Sequence, residues 1–200
     1  NMEKKDLKPA GVFKYFEEIC QVPRPSKKEE KMIAYLKAFG AKHNLETKVD
    51  EAGNVLIKKP ATPGKENLQT VVLQSHIDMV CEKNNDVQHD FLTDPIETEI
   101  DGEWLKAKGT TLGADNGIGV ATELAILADD SIEHGPLECL FTVDEETGLT
   151  GAFALKEGFM SGDILLNLDS EDEGEIFIGC AGGIDSVAEF AYKEIEVPAG

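Results

Sequence analysis

The sequence predicts an α/β fold in which helices layer onto a largely parallel central sheet. Three observations carry this. Residues 71–80 form an apolar, Val-rich run without Gly or Pro, the pattern of a strand buried on both faces. Residues 137–143 and 164–168 repeat the pattern. Segments of helical period lie between such runs, and that alternation marks a layered α/β sheet.

Two hundred residues make one large domain, or one domain and part of another. A hydrophobic fraction of 41% is enough for a real core. With 39 acids against 19 bases the net charge is −20, which argues against nucleic acid or an anionic membrane surface as partner. Most of that charge keeps the chain soluble, but a few carboxylates are available to hold cations. Cys20, Cys81, Cys139 and Cys180 lie far apart with no C-x-x-C spacing. They read as buried free thiols of a cytoplasmic protein, not as a zinc knuckle or disulfide framework. No signal peptide and no bilayer-length apolar span is expected.

Taken in order, residues 9–20 carry Val12, Phe13, Phe16 and Ile19 at helical spacing, and Pro23 and Pro25 break that helix. Ser26 with Glu29 three residues later has the spacing of a capping box, which predicts a second helix starting there with Met32, Ile33, Leu36 and Phe39 inside. Residues 45–50 and 54–58 alternate around Ala52-Gly53, a hairpin pattern. Asp101-Gly102 is a second hairpin turn. The loop Gly113-Ala114-Asp115-Asn116-Gly117 leads into a helix, where Asp115 has an ordinary reading as N-cap. It lacks the Gly-Lys-Ser/Thr of a P-loop, and there is no G-x-G-x-x-G. Residues 174–179 read as a short strand, and alternation from Ser186 to Val197 reads as the start of a new sheet. His43, His89 and His134 read as surface or loop residues.

The chemistry collects at strand ends. Ligand sites of open α/β sheets lie outside the carboxyl ends of the strands. The first buried run ends at His76 and Asp78, the second leads into Glu145 and Glu146, the third into Asp169, and Asp115 can reach the same edge. A lone His and Asp at one strand end is weak evidence, but three such ends together are not. Asp78 can fix the imidazole of His76 and leave its other nitrogen for a metal. So many acids repel one another unless a cation lies among them. One imidazole with several carboxylates suits zinc, manganese or cobalt better than magnesium, and the surplus of carboxylates points to two ions sharing one bridge. Glu145 and Glu146 are adjacent and face different ways, so one can ligate while the other acts as general base towards a water. No G-x-S-x-G supports a serine nucleophile.

Ser75-His76-Ile77-Asp78-Met79-Val80, Gly113-Ala114-Asp115-Asn116-Gly117, Asp144-Glu145-Glu146-Thr147-Gly148 and Asn167-Leu168-Asp169-Ser170 together resemble the aminoacylase/carboxypeptidase G metallopeptidase family. Finer details, including Gly-Cys-Ala-Gly-Gly at 179–183, are similar to its branch acting on aminoacyl-histidine dipeptides. The resemblance implies a three-layer zinc-peptidase-like catalytic domain over 1–185, with 186–200 the first strand of a lid domain. It implies two divalent ions, zinc first, with Asp115 as the bridge. His76 and Asp169 would complete one ion and Glu146 would bind the other. The catalytic residues would be Glu145 as general base and Asp78 orienting His76. It also implies a cis peptide after Asp115.

One departure matters. The family's second ion takes a further His near the C-terminus, after the lid, and neither His89 nor His134 has that context. The chain is therefore expected to be the N-terminal portion of a longer protein, and to bind the second ion poorly by itself. The expected activity is hydrolysis of Xaa-His dipeptides, with small peptides as substrate and a homodimer through the lid. The alternatives are an N-acyl amino acid deacylase, a tripeptide aminopeptidase, or a non-catalytic module with a vestigial site.

Overall fold

The computed structural model describes residues 3–170 and 172–196, and the chain divides into two units, residues 1–170 and 171–200. In the first unit the elements run α1 (Ala10–Cys20), α2 (Glu30–Lys42), β1 (Glu46–Val49), β2 (Val55–Lys59), β3 (Val71–His76), β4 (Thr98–Asp101), β5 (Trp104–Ala107), α3 (Ala114–Ala128), β6 (Leu137–Thr142), α4 (Thr150–Phe153) and β7 (Ile164–Asn167). A five-stranded sheet has the order β1-β2-β6-β3-β7, and β4-β5 form a separate hairpin. β3 pairs in parallel with both β6 and β7, whereas β2 pairs antiparallel with β1 and β6. Only β2 therefore runs against the other four strands.

Strand alternation sorts the core into two clusters. Val55, Ile57, Leu73, Cys139 and Phe141 meet α1, α2 and α3 on one face, through Phe16, Ile19, Met32, Leu36, Val120 and Leu124. Leu56, Val72 and Leu140 point the other way, where Leu155, Phe159 and Met160 cover them. Phe16 and Ile19 on α1, and Val120, Leu124 and Leu127 on α3, recur at the three-to-four-residue spacing that gives a helix one buried stripe. The β1–β2 turn closes on Asp50, whose Oδ1 accepts the N–H groups of Ala52, Gly53 and Asn54. Asn54 is buried and ties the turn to the site. Its amide donates to Asp50 Oδ2 and Gly151 O, and its oxygen accepts the Val143 N–H. Lys59 Nζ donates to Ile126 O and Asp129 O, satisfying carbonyls at the end of α3.

Several expectations need correction. β3 stops at His76, so Asp78 stands on the following loop. α2 begins at Glu30 with no side-chain cap, because the two residues read as a capping box are engaged elsewhere: Ser26 donates its hydroxyl to Asp78 Oδ2, and Glu29 accepts the Asp144 N–H. Asp115 caps nothing; Gly113 is the N-cap of α3, and Asp115 and Asn116 have non-helical angles. Cys180 is exposed and Cys81 half-buried, although all four cysteines are free. In the second unit, residues 172–196 contain neither a helix nor a strand, against the strands read over 174–179 and 186–197; Val197 lies outside the described residues. A strand exists through its ladder partner, and the apolar members of that alternation, Val187, Phe190, Tyr192 and Ile195, are exposed.

Candidate active site

The register sets the site. His76 stands opposite Thr142, and Gln74 opposite Asn167, so β3, β6 and β7 end at one edge. From that edge β6 continues into Asp144-Glu145-Glu146, β7 into Leu168-Asp169, and the loop before α3 delivers Asp115. His76 is 1% exposed. Its Nε2 lies 3.1 Å from Asp115 Oδ1, 3.7 Å from Asp169 Oδ1 and 3.9 Å from Glu145 Oε2. One ligand atom from each of His76, Asp115 and Glu146 falls within 4.8 Å of the others. All six residues singled out in the sequence thus meet at one rim. His43, His89 and His134 lie elsewhere: His43 packs at a tilt on Phe39, His89 meets Phe91 edge-on, and His134 bonds to Gly135 O. His89 is therefore half-buried where exposure was expected.

Asp78 organises the rim from beneath. It is fully buried. Its carboxylate lies 3.2 Å from His76 Nδ1, and accepts the Ser26 hydroxyl at 2.7 Å and the N–H groups of Glu145 and Glu146 at 3.0 and 3.3 Å. Nδ1 therefore carries a proton held on Asp78, and Nε2 is the ring nitrogen that faces the other acids. Glu29 Oε1 accepts the Asp144 N–H at 2.8 Å, and Asp144, at φ +50°, takes the hydroxyls of Thr147 and Thr150. Asn116 donates to Leu168 O and to Asp169 Oδ1, both at 2.8 Å, which holds Asp169 at the rim. The Asp115–Asn116 peptide is cis.

Sequence reasoning missed Arg24, Ser26, Glu29, Asn116 and the buried acid Glu123. Ser26 and Glu29 carried a misleading local pattern. Asn116 sat inside a motif already singled out, and that was the one available signal.

The charges are strained without a cation. Burial opposes ionisation of Asp78, but the His76 ring, the Glu145 N–H and the Ser26 hydroxyl hold it down to about 2. Burial likewise opposes charge on His76, yet the Asp78 hydrogen bond and the Asp169 charge push it up to about 9. Burial and the Asp115 charge raise Asp169 to about 6, against the pull of His76. Burial, with Glu146 and the neighbouring aspartates, raises Glu145; burial and Asp115 raise Glu146. An imidazolium proton is here the positive charge nearest four acids. A divalent ion in its place supplies more charge and displaces that proton. The donor set of one imidazole nitrogen and several carboxylate oxygens fits such an ion.

A mixed sheet with an imidazole-and-carboxylate rim at its parallel strand ends defines an α/β protein with a candidate metal centre. The chain belongs to Peptidase family M20/M25/M40, whose profile matches residues 72–194. Peptidases of this family depend on metal ions. The chain is 52% identical over 198 residues, 99% of its length, to the cytosol non-specific dipeptidase of Escherichia coli (strain K12). It superimposes on the crystal structure of aminoacylhistidine dipeptidase from Vibrio alginolyticus with a TM-score of 0.87 at 56% identity over 90% of its length. Aminopeptidase PepT from Bacillus cereus ATCC 10987 follows with a TM-score of 0.69 at 26% identity, over 81% of this chain and 43% of that one. The chain spans 41% of the Escherichia coli relative and 37% of the Vibrio structure. Among the described residues no helix is long and apolar enough to cross a membrane.

Proposed function

We propose that this chain is the N-terminal catalytic portion of a metal-dependent dipeptidase acting on Xaa-His-type dipeptides. Residues 1–185 belong to the catalytic domain, and 186–200 open a lid domain that would also carry a homodimer contact. Family membership and the dipeptidase relatives support the reaction class. The observation that carries the reading is the approach of Asp115, Asp169 and Glu145 oxygens to within 3.1–3.9 Å of His76 Nε2, with Glu146 in the same group.

In this reading Asp115 would be shared between two divalent ions, zinc first, with manganese or cobalt as alternatives. His76 and Asp169 would complete the holding of one ion and Glu146 would hold the other. Such ions polarise a carbonyl and acidify water. Glu145 takes the proton of the attacking water and passes it to the leaving amine. Its raised pKa suits both duties, because a carboxylate nearer neutrality both accepts and returns a proton. Asp78 keeps the His76 ring in one tautomer, with Nε2 facing the ligand side.

In the full-length protein, Glu145→Gln should keep its metal content and lose about 10²–10⁴-fold in kcat, the usual scale of a general base. Retained turnover would remove Glu145 from that role. A panel of Xaa-His dipeptides, N-acetyl amino acids and tripeptides tests the substrate class. Dipeptides should turn over fastest, and a preference for N-acyl substrates would overturn the dipeptidase reading.

A further inference from the structure

We infer that Arg24 is a positioning residue for the metal centre, clamping together the two loops that carry its ligands. Arg24 lies between Pro23 and Pro25 in the link from α1 to α2, yet it is only 2% exposed. Its Nη1 donates to Ile77 O at 3.0 Å and to Asp78 O at 3.3 Å. Its Nη2 donates to Gly113 O at 2.6 Å. One planar group thus holds the loop after His76 and the loop two residues before Asp115. The backbone adds to the clamp, since Arg24 O accepts the Met79 N–H at 3.1 Å.

The surroundings are built to admit the guanidinium. A Cβ at Gly113 or at Gly117 would lie 2.6 Å from Nη2, and Gly113 also has φ +73°. Burying a cation against neutral carbonyls is costly in itself. Among the described residues no carboxylate pairs with Arg24 directly. Asp78 and Asp115 nevertheless lie within its field. A fixed positive charge beneath the rim offsets part of the repulsion among the acids. Its fork sets the spacing of the His76 and Asp115 loops, which meet at 3.1 Å. Lysine, whose three donors share one nitrogen, lacks the rigid fork that reaches both loops.

The inference rests on the metal centre proposed above, so the test reads metal binding apart from hydrolysis. In the full-length protein, cobalt affinity is measured by chelator competition and its visible absorption spectrum recorded, for wild type, Arg24→Lys, Arg24→Met and Gly117→Ala. Gly117→Ala crowds Nη2 of the guanidinium without changing Arg24 itself and keeps the test open should Arg24→Met not fold. Lys59→Met is the control, because Lys59 is a buried cation serving the far end of α3. The three site variants should bind cobalt about 10–100-fold more weakly, the usual cost of disturbing residues behind metal ligands, with an altered spectrum. Lys59→Met should lose thermal stability and keep wild-type cobalt affinity. Folded Arg24 variants with wild-type affinity and spectrum overturn the clamp alone. A wild type that binds no cobalt overturns the metal centre, and the clamp with it.

Discussion

At the residue scale, Glu123 shows how the site edge tolerates an acid with no cation near it. Its side chain is fully buried, Oε1 accepts the Ser75 hydroxyl at 2.6 Å, and Oε2 has no partner among the described residues. Burial pushes its pKa well above the ordinary carboxylate range, so the folded protein keeps a proton that the unfolded chain releases. Stability is then fully present below the unfolded pKa and declines as pH rises above it. Glu123→Gln cannot ionise in either state and keeps an oxygen for Ser75. Its Tm should exceed that of wild type at pH 7–8, with the difference closing towards pH 4, as read by thermal denaturation across pH. A difference independent of pH would show that Glu123 is ionised in the fold. Asp78 is the opposite case, an acid held ionised by donors on every side. Asp78→Asn should weaken metal affinity by about 10–100-fold through a loosened His76, as measured by chelator competition.

At the element scale, the sheet and its strand ends were legible because burial on both faces leaves an apolar run, and such runs end where polar chemistry resumes. β3 and β6 announced themselves this way, and with them His76, Glu145 and Glu146; β7, which leads to Asp169, has the same apolar run but is an exposed edge strand, against the burial read for it. The supporting residues were hidden because their partners are distant in sequence. Ser26 and Glu29 have the spacing of a helix cap, but their partners are Asp78 and Asp144, 52 and 115 residues away. Arg24 between two prolines gives no sign of burial. The alternation after Ser186 has the right period, but period alone does not supply a ladder partner. Asn54 shows what such hidden links contribute. It joins the β1–β2 turn to the end of β6 and to α4, all by buried hydrogen bonds. Asn54→Ala should therefore cost about 1–3 kcal/mol in denaturant unfolding, the range for stranding buried polar groups. A cost near zero would mean that the turn is held by Asp50 alone.

At the scale of the whole molecule, four crowded acids, one imidazole and one buried arginine make a fold whose charges balance best around a divalent ion. Metal should thus bind the folded state in preference to the unfolded one. In the full-length protein, zinc at a hundredfold excess over its Kd should add about 2.7 kcal/mol of stability for one site, seen as a Tm that rises with metal and falls with chelator. The most direct measurement is anomalous scattering at the zinc edge from crystals of the full-length protein. Peaks bounded by His76 Nε2 and the carboxylates of Asp115, Glu146 and Asp169 are the predicted result. A rim without a peak in zinc-saturated crystals, or zinc bound only at other residues, would contradict it.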